Sequence, residues 1–275
     1  MDLSGKNIVV TGAAGGIGAA LSRRFLAAGA NVVIADRDSA RIHKAVDELI
    51  AHTASGVGGN AYAVVADISS EQGNIDLIRE SRQLLGSIDL FFANAGVGMG
   101  AMLENTDENT WDDVMNINFH AHRWAAKHLI EEWIDRGDGY FCSTASAAGL
   151  LSQIGSATYS VSKHAAVAFA EWLAITYGDK GVKVSCLCPQ GVNTDMLNPP
   201  SGTEGLDTRG LEAVKASGNV LEPDDVAEIV YQHIVAETFL ILPHAEVSTY
   251  EERKVADRDR WIAGMQRLQS RILNS

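Results

Sequence analysis

Residues 11–18 read TGAAGGIG and follow a short apolar run, NIVVTG at 7–12, at the point where a helical pattern begins. Glycines in such a turn let a pyrophosphate reach the backbone N–H groups and the positive end of the helix dipole. No G-K-[ST] follows them, which excludes a P-loop. The turn therefore predicts a dinucleotide site that includes Gly12, Gly16 and Gly18. The alternative is that these glycines serve only the chain reversal.

The same alternation of strand and helix patterns continues along the chain. Short apolar runs predict strands at 7–12, 31–36, 61–67, 88–94, 139–145, 182–189 and 238–243. Segments of helical period lie between them, at about 16–28, 39–52, 71–84, 108–135, 157–178 and 223–236. This pattern predicts an α/β fold of the Rossmann type, with a doubly wound, seven-stranded, mostly parallel sheet and helices on both faces. Ligands of such a sheet bind at the carboxyl ends of its strands.

Composition is that of an ordinary globular protein. The chain has 275 residues, of which 46% are hydrophobic and 21% charged, so we expect a single dinucleotide-binding and catalytic domain over 1–275. A net charge of −13 repels nucleic acid and anionic membrane surfaces. We find no targeting pattern and no uncharged apolar stretch of about 18 residues, and we expect a cytoplasmic protein without a membrane span.

The cysteines and histidines give no sign of a metal site. Cys142, Cys186 and Cys188 lie in apolar strand patterns without a C-x-x-C pair, which predicts buried, reduced thiols. The one close histidine pair, His120 and His122, alternates within a helical pattern, so its rings point to different faces. We therefore expect no metal.

An acidic residue ends the second predicted strand. Asp36 lies 18 residues after Gly18, the usual place for a carboxylate that accepts both ribose hydroxyls of an adenosine. A 2′-phosphate would meet like charge there, which favours NAD over NADP. Arg37 could instead hold a 2′-phosphate or flank the adenine, and Asp36 could simply be a helix N-cap or turn residue.

Six motifs in chain order resemble the short-chain dehydrogenase/reductase family, and the resemblance runs from about Leu3 to Thr194. The motifs are the T-G-x-x-x-G-x-G turn at 11–18, Asp67 after the third strand, the N-A-G of Asn94, Ala95 and Gly96, Asn118 in the next long helix, Ser146, and the Y-x-x-x-K of Tyr159 and Lys163. Ser143 and Thr144 compete locally for the catalytic hydroxyl. Ser146 is preferred because it lies 13 residues before Tyr159, the family's spacing.

The resemblance implies NAD as the cofactor and a set of residues around it. Asp67 is expected to face the adenine, and Pro189, Val192 and Thr194 to contact the nicotinamide carboxamide. The family's P-G-x-V-x-T reads PQGVNT here, with Gln190 in place of a glycine, and we expect this contact to survive. The predicted cofactor site comprises Gly12, Gly16, Ile17, Gly18, Asp36, Arg37, Asp67, Ile68, Asn94, Ala95, Gly96, Tyr159, Lys163, Pro189, Val192 and Thr194.

Tyr159 and Lys163 form the predicted centre of the chemistry. Residues four apart on a helix share a face. An ammonium about 6 Å from the phenol would favour phenolate by roughly 3 kcal/mol and bring the pKa of Tyr159 toward the working pH of a general acid/base. The resemblance implies that Lys163 also binds the nicotinamide ribose, that Ser146 donates to the substrate oxygen, and that Asn118 holds a water. An ordinary surface Tyr–Lys pair is the alternative interpretation.

These residues predict an oxidoreductase that moves hydride between NAD and a secondary alcohol or ketone. Two alternatives are an epimerase or dehydratase on the same scaffold and a protein that senses dinucleotides without catalysis. A sensor has no need for Asn118, Ser146, Tyr159 and Lys163 together. We expect a small-molecule substrate and, by resemblance, a homodimer or homotetramer formed through the helices at 108–135 and 157–178.

Apolar residues near the predicted site suit a bulky, hydrophobic substrate. They are Met99, Met102, Leu103, Leu150, Leu151, Ile154, Met196 and Leu197. About half could equally belong to the core. The segment 195–218, rich in glycine and proline, is predicted to be a substrate lid, with a static surface loop as the alternative.

A charged C-terminal helical extension is predicted at 249–272. Its apolar stripe consists of Val255, Ile262, Met265, Leu268 and Ile272. The stripe could pack on its own domain, on a neighbouring subunit, or over the substrate mouth.

Overall fold

Seven parallel strands form one sheet in the described part of the chain, as the sequence pattern predicts. The computed structural model describes residues 1–53, 59–98, 101–199, 214 and 218–273. The strands are β1 (Asn7–Thr11), β2 (Asn31–Asp36), β3 (Ala61–Val65), β4 (Leu90–Ala93), β5 (Gly139–Thr144), β6 (Val182–Leu187) and β7 (Leu240–Ile241). They lie in the order β3-β2-β1-β4-β5-β6-β7, and all the paired strands are parallel. The chain order reverses between β1 and β4, which is where a doubly wound sheet opens a crevice for ligands.

Helices cover both faces of the sheet, which explains why its central strands are apolar throughout. They are α1 (Gly16–Ala27), α2 (Ser39–Thr53), α3 (Glu71–Leu85), α4 (Glu108–Met115), α5 (Ala121–Arg136), α6 (Ala148–Leu151), α7 (Ala157–Tyr177), α8 (Pro223–Ala236), α9 (Glu246–Ala256) and α10 (Arg258–Leu273). Successive strand side chains point to opposite faces. In β1, Val9 packs in the core with α3, α5 and α7, whereas Ile8 and Val10 pack in the core with α1, α2 and α8.

Three local features differ from the sequence prediction. The helix predicted at 108–135 contains one π-helical turn, Asn116–His120, between α4 and α5. The unpredicted α6 has four residues, too few to show a helical period. The strand predicted at 238–243 is reduced to two residues in β7.

The C-terminal helical extension predicted at 249–272 is present, but it consists of two helices rather than one continuous helix. Asp257 separates α9 from α10 with an extended backbone (φ −151°, ψ 93°). Its Oδ1 accepts a hydrogen bond from the backbone N–H of Arg260 at 2.9 Å. Aspartate at this position satisfies N–H groups that have no partner inside the new helix, so it restarts the helix. The predicted stripe is thereby divided, and Val255 and Ile262 remain 71% and 47% exposed.

The three cysteines are free and buried, as their apolar contexts predict. Cys186 Sγ and Cys188 Sγ lie 3.8 Å apart because residues two apart on a strand share a face. Across the described ranges, no helix is long and apolar enough to cross a membrane.

Candidate active site

The glycine turn after β1 is shaped by close approaches that exclude side chains. Gly12 and Gly16 have left-handed backbones, with φ of 64° and 52°, which glycine adopts without strain. A Cβ on Gly12 would lie 2.8 Å from Ala95 Cα, and one on Gly16 would lie 3.0 Å from Thr194 Cγ2. The turn therefore keeps the N terminus of α1 open to a phosphate, and side chains would fill this cradle.

A pocket of about 820 Å³ follows the carboxyl ends of the strands. The predicted cofactor residues that line it are Gly12, Gly16, Ile17, Asp36, Arg37, Asp67, Ile68, Asn94, Ala95, Gly96, Tyr159, Lys163, Pro189, Val192 and Thr194. Gly18 is not part of this lining. A Cβ there would lie 2.4 Å from Gly12 O, so its role is to let α1 pack against the turn. The cradle, the acidic strand end and the volume fit a dinucleotide.

Asp36 ends β2 with its carboxylate partly engaged by backbone groups. Its Oδ2 accepts from the Ala14 N–H at 3.3 Å and its Oδ1 from the Asp38 N–H at 3.2 Å. Each oxygen has further acceptor capacity, so the group can still receive ribose hydroxyls. Arg41, which the sequence analysis missed, also lines the pocket and donates to Asp195 Oδ2 at 2.9 Å. This ion pair links α2 to the segment after β6.

Hydrogen bonds between strand ends fix the centre of the pocket. Thr11 Oγ1 accepts from the N–H groups of Asn94 and Ala95, both at 3.0 Å. Asn94 Nδ2 donates to Thr11 O at 3.0 Å, and Asn94 Oδ1 accepts from Thr144 Oγ1 at 3.1 Å. Asn94 thus joins the ends of β1, β4 and β5 where the sheet order reverses.

Tyr159 and Ser146 meet in the pocket from two different elements. Tyr159 lies in the first turn of α7, whose N-cap Ser156 accepts from the Tyr159 N–H at 3.4 Å. Ser146 Oγ accepts from the Ala148 N–H at 3.1 Å and donates to Pro189 O at 3.3 Å. The Ser146 hydroxyl is close enough to the Tyr159 phenol to lower the pKa of that phenol. Since Ser146 has one proton, it can donate to the Pro189 carbonyl or toward the pocket, but not to both at once.

Lys163 lies one helical turn after Tyr159 and is only 2% exposed. Its Nζ donates to Thr144 O at 2.9 Å and lies 5.8 Å from the centre of the Tyr159 ring. Burial lowers the pKa of Lys163 to about 8, because the ammonium loses its hydration. The carbonyl at the end of β5 therefore directs this cation into the pocket.

The expectation that the pKa of Tyr159 falls toward the working pH is not met in this structure. Burial raises the pKa of Tyr159 above its ordinary value of 10.0, and the hydrogen bond with Ser146 offsets only part of the rise. The expected pKa of Tyr159 rested on the spacing between two residues on a helix. In the structure Nζ is bonded to the Thr144 carbonyl, and the loss of phenolate hydration dominates.

Asn118 is fully buried in the π-helical turn and lies behind the pocket lining. Its Oδ1 accepts from the Val97 N–H at 2.8 Å, and its Nδ2 donates to Val97 O at 2.9 Å and to Ser162 Oγ at 3.1 Å. A Cβ on Gly96 would lie 3.2 Å from both Asn118 Oδ1 and Lys163 Nζ. Asn118 therefore fixes the segment after the N-A-G motif and packs close to the cation.

Apolar residues that follow Ser146 and Thr194 in the chain line the rest of the pocket. Of the predicted ones, Leu151, Ile154, Met196 and Leu197 line it. Met102, Leu103 and Leu150 do not, and Leu103 is 67% exposed on a short surface 3-10 turn. Met99 and most of the predicted lid at 195–218 lie outside the described residues.

The helices after β7 form a further wall of the pocket. Its residues are Tyr250, Arg253, Trp261, Met265 and Leu268. Lys254 Nζ donates to Leu150 O and so attaches α9 to α6. The rings of Tyr250 and Trp261 lie 6.5 Å apart and pack on the core of their own sheet. The extension therefore packs on its own domain and also lines the pocket, which are two of the three roles expected for it. Tyr250, Arg253 and Trp261 were missed because only aliphatic residues defined the predicted stripe.

His244, also missed, holds the loop after β6 in place. It is 3% exposed, and its Nδ1 accepts from the Gln190 N–H at 3.2 Å. Its Nε2 lies 3.2 Å from Gly191 O and 3.1 Å from Asn219 O. The loop PQGVNT is thus tied to the end of β7, although Gln190 stands where the family pattern has a glycine. No local sequence signal marks a single histidine for this task.

Comparisons with known proteins agree with this geometry. The short chain dehydrogenase family model matches residues 6–204. The 1-deoxy-11-beta-hydroxypentalenate dehydrogenase of Streptomyces avermitilis is 35% identical over 254 residues, covering 90% of this chain and 88% of that protein. The meso-2,3-butanediol dehydrogenase of Serratia marcescens is 30% identical, with 84% and 87% covered. A crystal structure of a short chain dehydrogenase/reductase from Burkholderia phymatum in complex with NAD is 28% identical, with a TM-score of 0.81 and 94% and 96% covered. The chain belongs to the short-chain dehydrogenase family of nicotinamide-dependent oxidoreductases.

Proposed function

We propose that the protein transfers hydride between NAD and a hydrophobic secondary alcohol or its ketone, with Tyr159 as the general acid/base. The main support is that Ser146, Tyr159 and Lys163 line one pocket with the glycine turn, and that Lys163 Nζ lies 5.8 Å from the centre of the Tyr159 ring. When bound, the nicotinamide supplies the hydride acceptor or donor. The relatives named above act on a hydroxypentalenate and a butanediol, which supports a hydroxyl substrate.

Each side chain has a distinct task in this proposal. In alcohol oxidation Tyr159 takes the hydroxyl proton, and in ketone reduction it returns that proton. Ser146 turns its single proton from Pro189 O toward the substrate oxygen as charge develops there. Lys163 supplies positive charge close to the phenol. Burial raises the pKa of Tyr159, and positive charge close to the phenol acts against this rise because it favours the phenolate.

Replacing Tyr159 by phenylalanine tests this assignment. We expect kcat to fall by about 10²–10⁴-fold, the usual worth of a positioned acid/base, while NAD binding measured by calorimetry is largely kept. Tyr177→Phe is the matched control, because Tyr177 lies at the other end of α7 and outside the pocket lining. Near-normal turnover in Tyr159→Phe would show that another group moves the proton.

NAD is proposed over NADP because of the Asp36 carboxylate at the pocket wall. A 2′-phosphate would face like charge and lose the paired ribose hydrogen bonds. We expect kcat/KM with NAD to exceed that with NADP by about 100-fold or more, a difference of roughly 3 kcal/mol. The Asp36→Ser variant should lower the ratio of kcat/KM with NAD to kcat/KM with NADP. Equal efficiency of the two cofactors in the unaltered protein would contradict the assignment.

We further propose a homo-oligomer formed through α5 and α7. On α7, Val161, Trp172 and Ile175 are 49%, 52% and 83% exposed, and large exposed apolar patches mark interaction sites. Light scattering at micromolar concentration should give a dimer or tetramer, and Ile175→Asp should shift it toward the monomer. Ile50→Asp, at a 50% exposed position on α2, is the control. A wild-type monomer would rule out the assembly.

A further inference from the structure

One charged side chain lies in the wall that α9 and α10 add to the pocket. Its partners in that wall are Tyr250, Trp261, Met265 and Leu268, all apolar or aromatic. Arg253 is exposed at the pocket mouth, and its Cζ lies 6.0 Å from the centre of the Tyr250 ring, one helical turn earlier. At this distance cation–π attraction favours a guanidinium that lies along the aromatic wall.

Arg253 and its neighbour Lys254 differ in the partners of their charged groups. Lys254 Nζ donates to Leu150 O and lies 3.5 Å from His164 Nε2, so it attaches α9 to the helices around the catalytic residues. Among the described residues, Arg253 takes part in no ion pair. The chain carries a net charge of −13, yet no carboxylate of the described residues pairs with this cation.

We propose that the substrate carries a carboxylate, or a similar anionic group, which Arg253 binds at the mouth of the pocket. This inference rests on the proposed function and narrows its substrate to hydrophobic secondary alcohols or ketones with an anionic end. A guanidinium presents paired N–H donors that match a carboxylate. A neutral apolar ligand covering Arg253 would remove water from the cation without replacing those hydrogen bonds, and it is therefore disfavoured.

The two ends of such a substrate are held by connected elements. Ser146 directly precedes the turn into α6, and α6 accepts the hydrogen bond of Lys254 through Leu150 O. α9, which carries Arg253, is thereby fixed relative to the hydroxyls of Ser146 and Tyr159. Binding the anionic end at Arg253 determines which carbon of the apolar body reaches Tyr159, so Arg253 sets positional selectivity as well as affinity.

The first test compares hydroxydecalin carboxylates with their methyl esters as substrates. In the unaltered protein we expect kcat/KM to favour the acid by about tenfold or more, the worth of a hydrogen bond to a charged group. Arg253→Gln should reduce the acid-to-ester ratio to near one, mainly through the KM of the acid, and Arg253→Lys should restore part of it. Arg260→Gln removes the same charge from a position outside the pocket lining and should keep the ratio.

A second test needs no turnover and separates this inference from the proposed function. Calorimetry with adamantane-1-carboxylate and its neutral amide, in the presence of NAD, should show preference for the carboxylate that Arg253→Gln removes and Arg260→Gln keeps. If no alcohol is oxidised but this preference is found, the proposed function fails and the anion site stands. Equal binding of the two probes, or a preference that survives Arg253→Gln, would overturn the anion site.

Discussion

Replacing Lys163 by methionine should make the protein more stable at neutral pH while it removes most of the activity. Lys163 is 2% exposed, and burial lowers its pKa from 10.5 to about 8. This difference corresponds to roughly 3 kcal/mol by which the folded protein disfavours the charged form at pH 7. Methionine has a similar length and needs no hydration. It loses the hydrogen bond to Thr144 O, which costs about 1–2 kcal/mol. The net expectation is a gain of roughly 1–2 kcal/mol.

The stability difference between Lys163→Met and wild type should change with pH in a definite direction. Between about 8 and 10.5 the folded wild type binds fewer protons at Lys163 than the unfolded chain does, so wild-type stability rises with pH across this window. Methionine does not titrate. Its advantage should therefore be full below pH 8, shrink above it, and become a small deficit near pH 10.5, where only the lost hydrogen bond remains.

Urea unfolding at several pH values and a fixed protein concentration measures both effects. The matched control is Lys44→Met, because Lys44 is 78% exposed and its replacement should change the free energy of unfolding by less than about 0.5 kcal/mol at every pH. A Lys163→Met variant that is less stable than wild type at pH 7, or a difference that stays constant up to pH 10.5, would refute the reasoning from burial.

Three further expectations follow from contacts in the pocket and directly behind its lining. Gly18→Ala should abolish NAD binding in calorimetry, because its Cβ would lie 2.4 Å from Gly12 O, whereas Gly178→Ala, whose Cβ would meet nothing within 4 Å, should bind NAD normally. His244→Ala should raise the KM for NAD by about tenfold, since the loop after β6 loses hydrogen bonds worth roughly 1–2 kcal/mol, and an unchanged KM would show that the loop holds its place without them. Met265→Ala should raise the KM for bulky alcohols several-fold through about 1–2 kcal/mol of lost apolar contact, with no change in the KM for NAD.

Sequence patterns predicted the sheet because its determinants are local. The β1 run is apolar at each successive position from Ile8 to Val10, and such a run needs helices on both faces wherever it occurs. The Y-x-x-x-K spacing and the glycine turn are likewise carried by neighbouring residues. These features can be identified before any contact between distant residues is known.

The remaining features depend on contacts between distant parts of the chain. The π-helical turn around Asn118 inserts one residue into a helix and hardly changes its hydrophobic period. The new helix that begins after Asp257 does not change the number of apolar residues in the segment. The direction of the Tyr159 pKa shift is set by burial, which the helical spacing does not contain. Tyr250 lines the pocket, and His244 holds the loop after β6, only because the chain after β7 folds back against these elements.

The cofactor side and the outer wall of the pocket come from different parts of the chain, and this affects how substrate preference can change. The residues proposed to bind the nucleotide and to move the proton lie between Thr11 and Thr194, on and around strands that pair with one another. The outer wall comes from α9 and α10, which follow the last strand and contribute nothing to the sheet. Mutations in these two helices can therefore reshape the mouth without disturbing strand pairing. An engineer who wishes to retarget the enzyme should randomise this segment first and leave the nucleotide half unchanged.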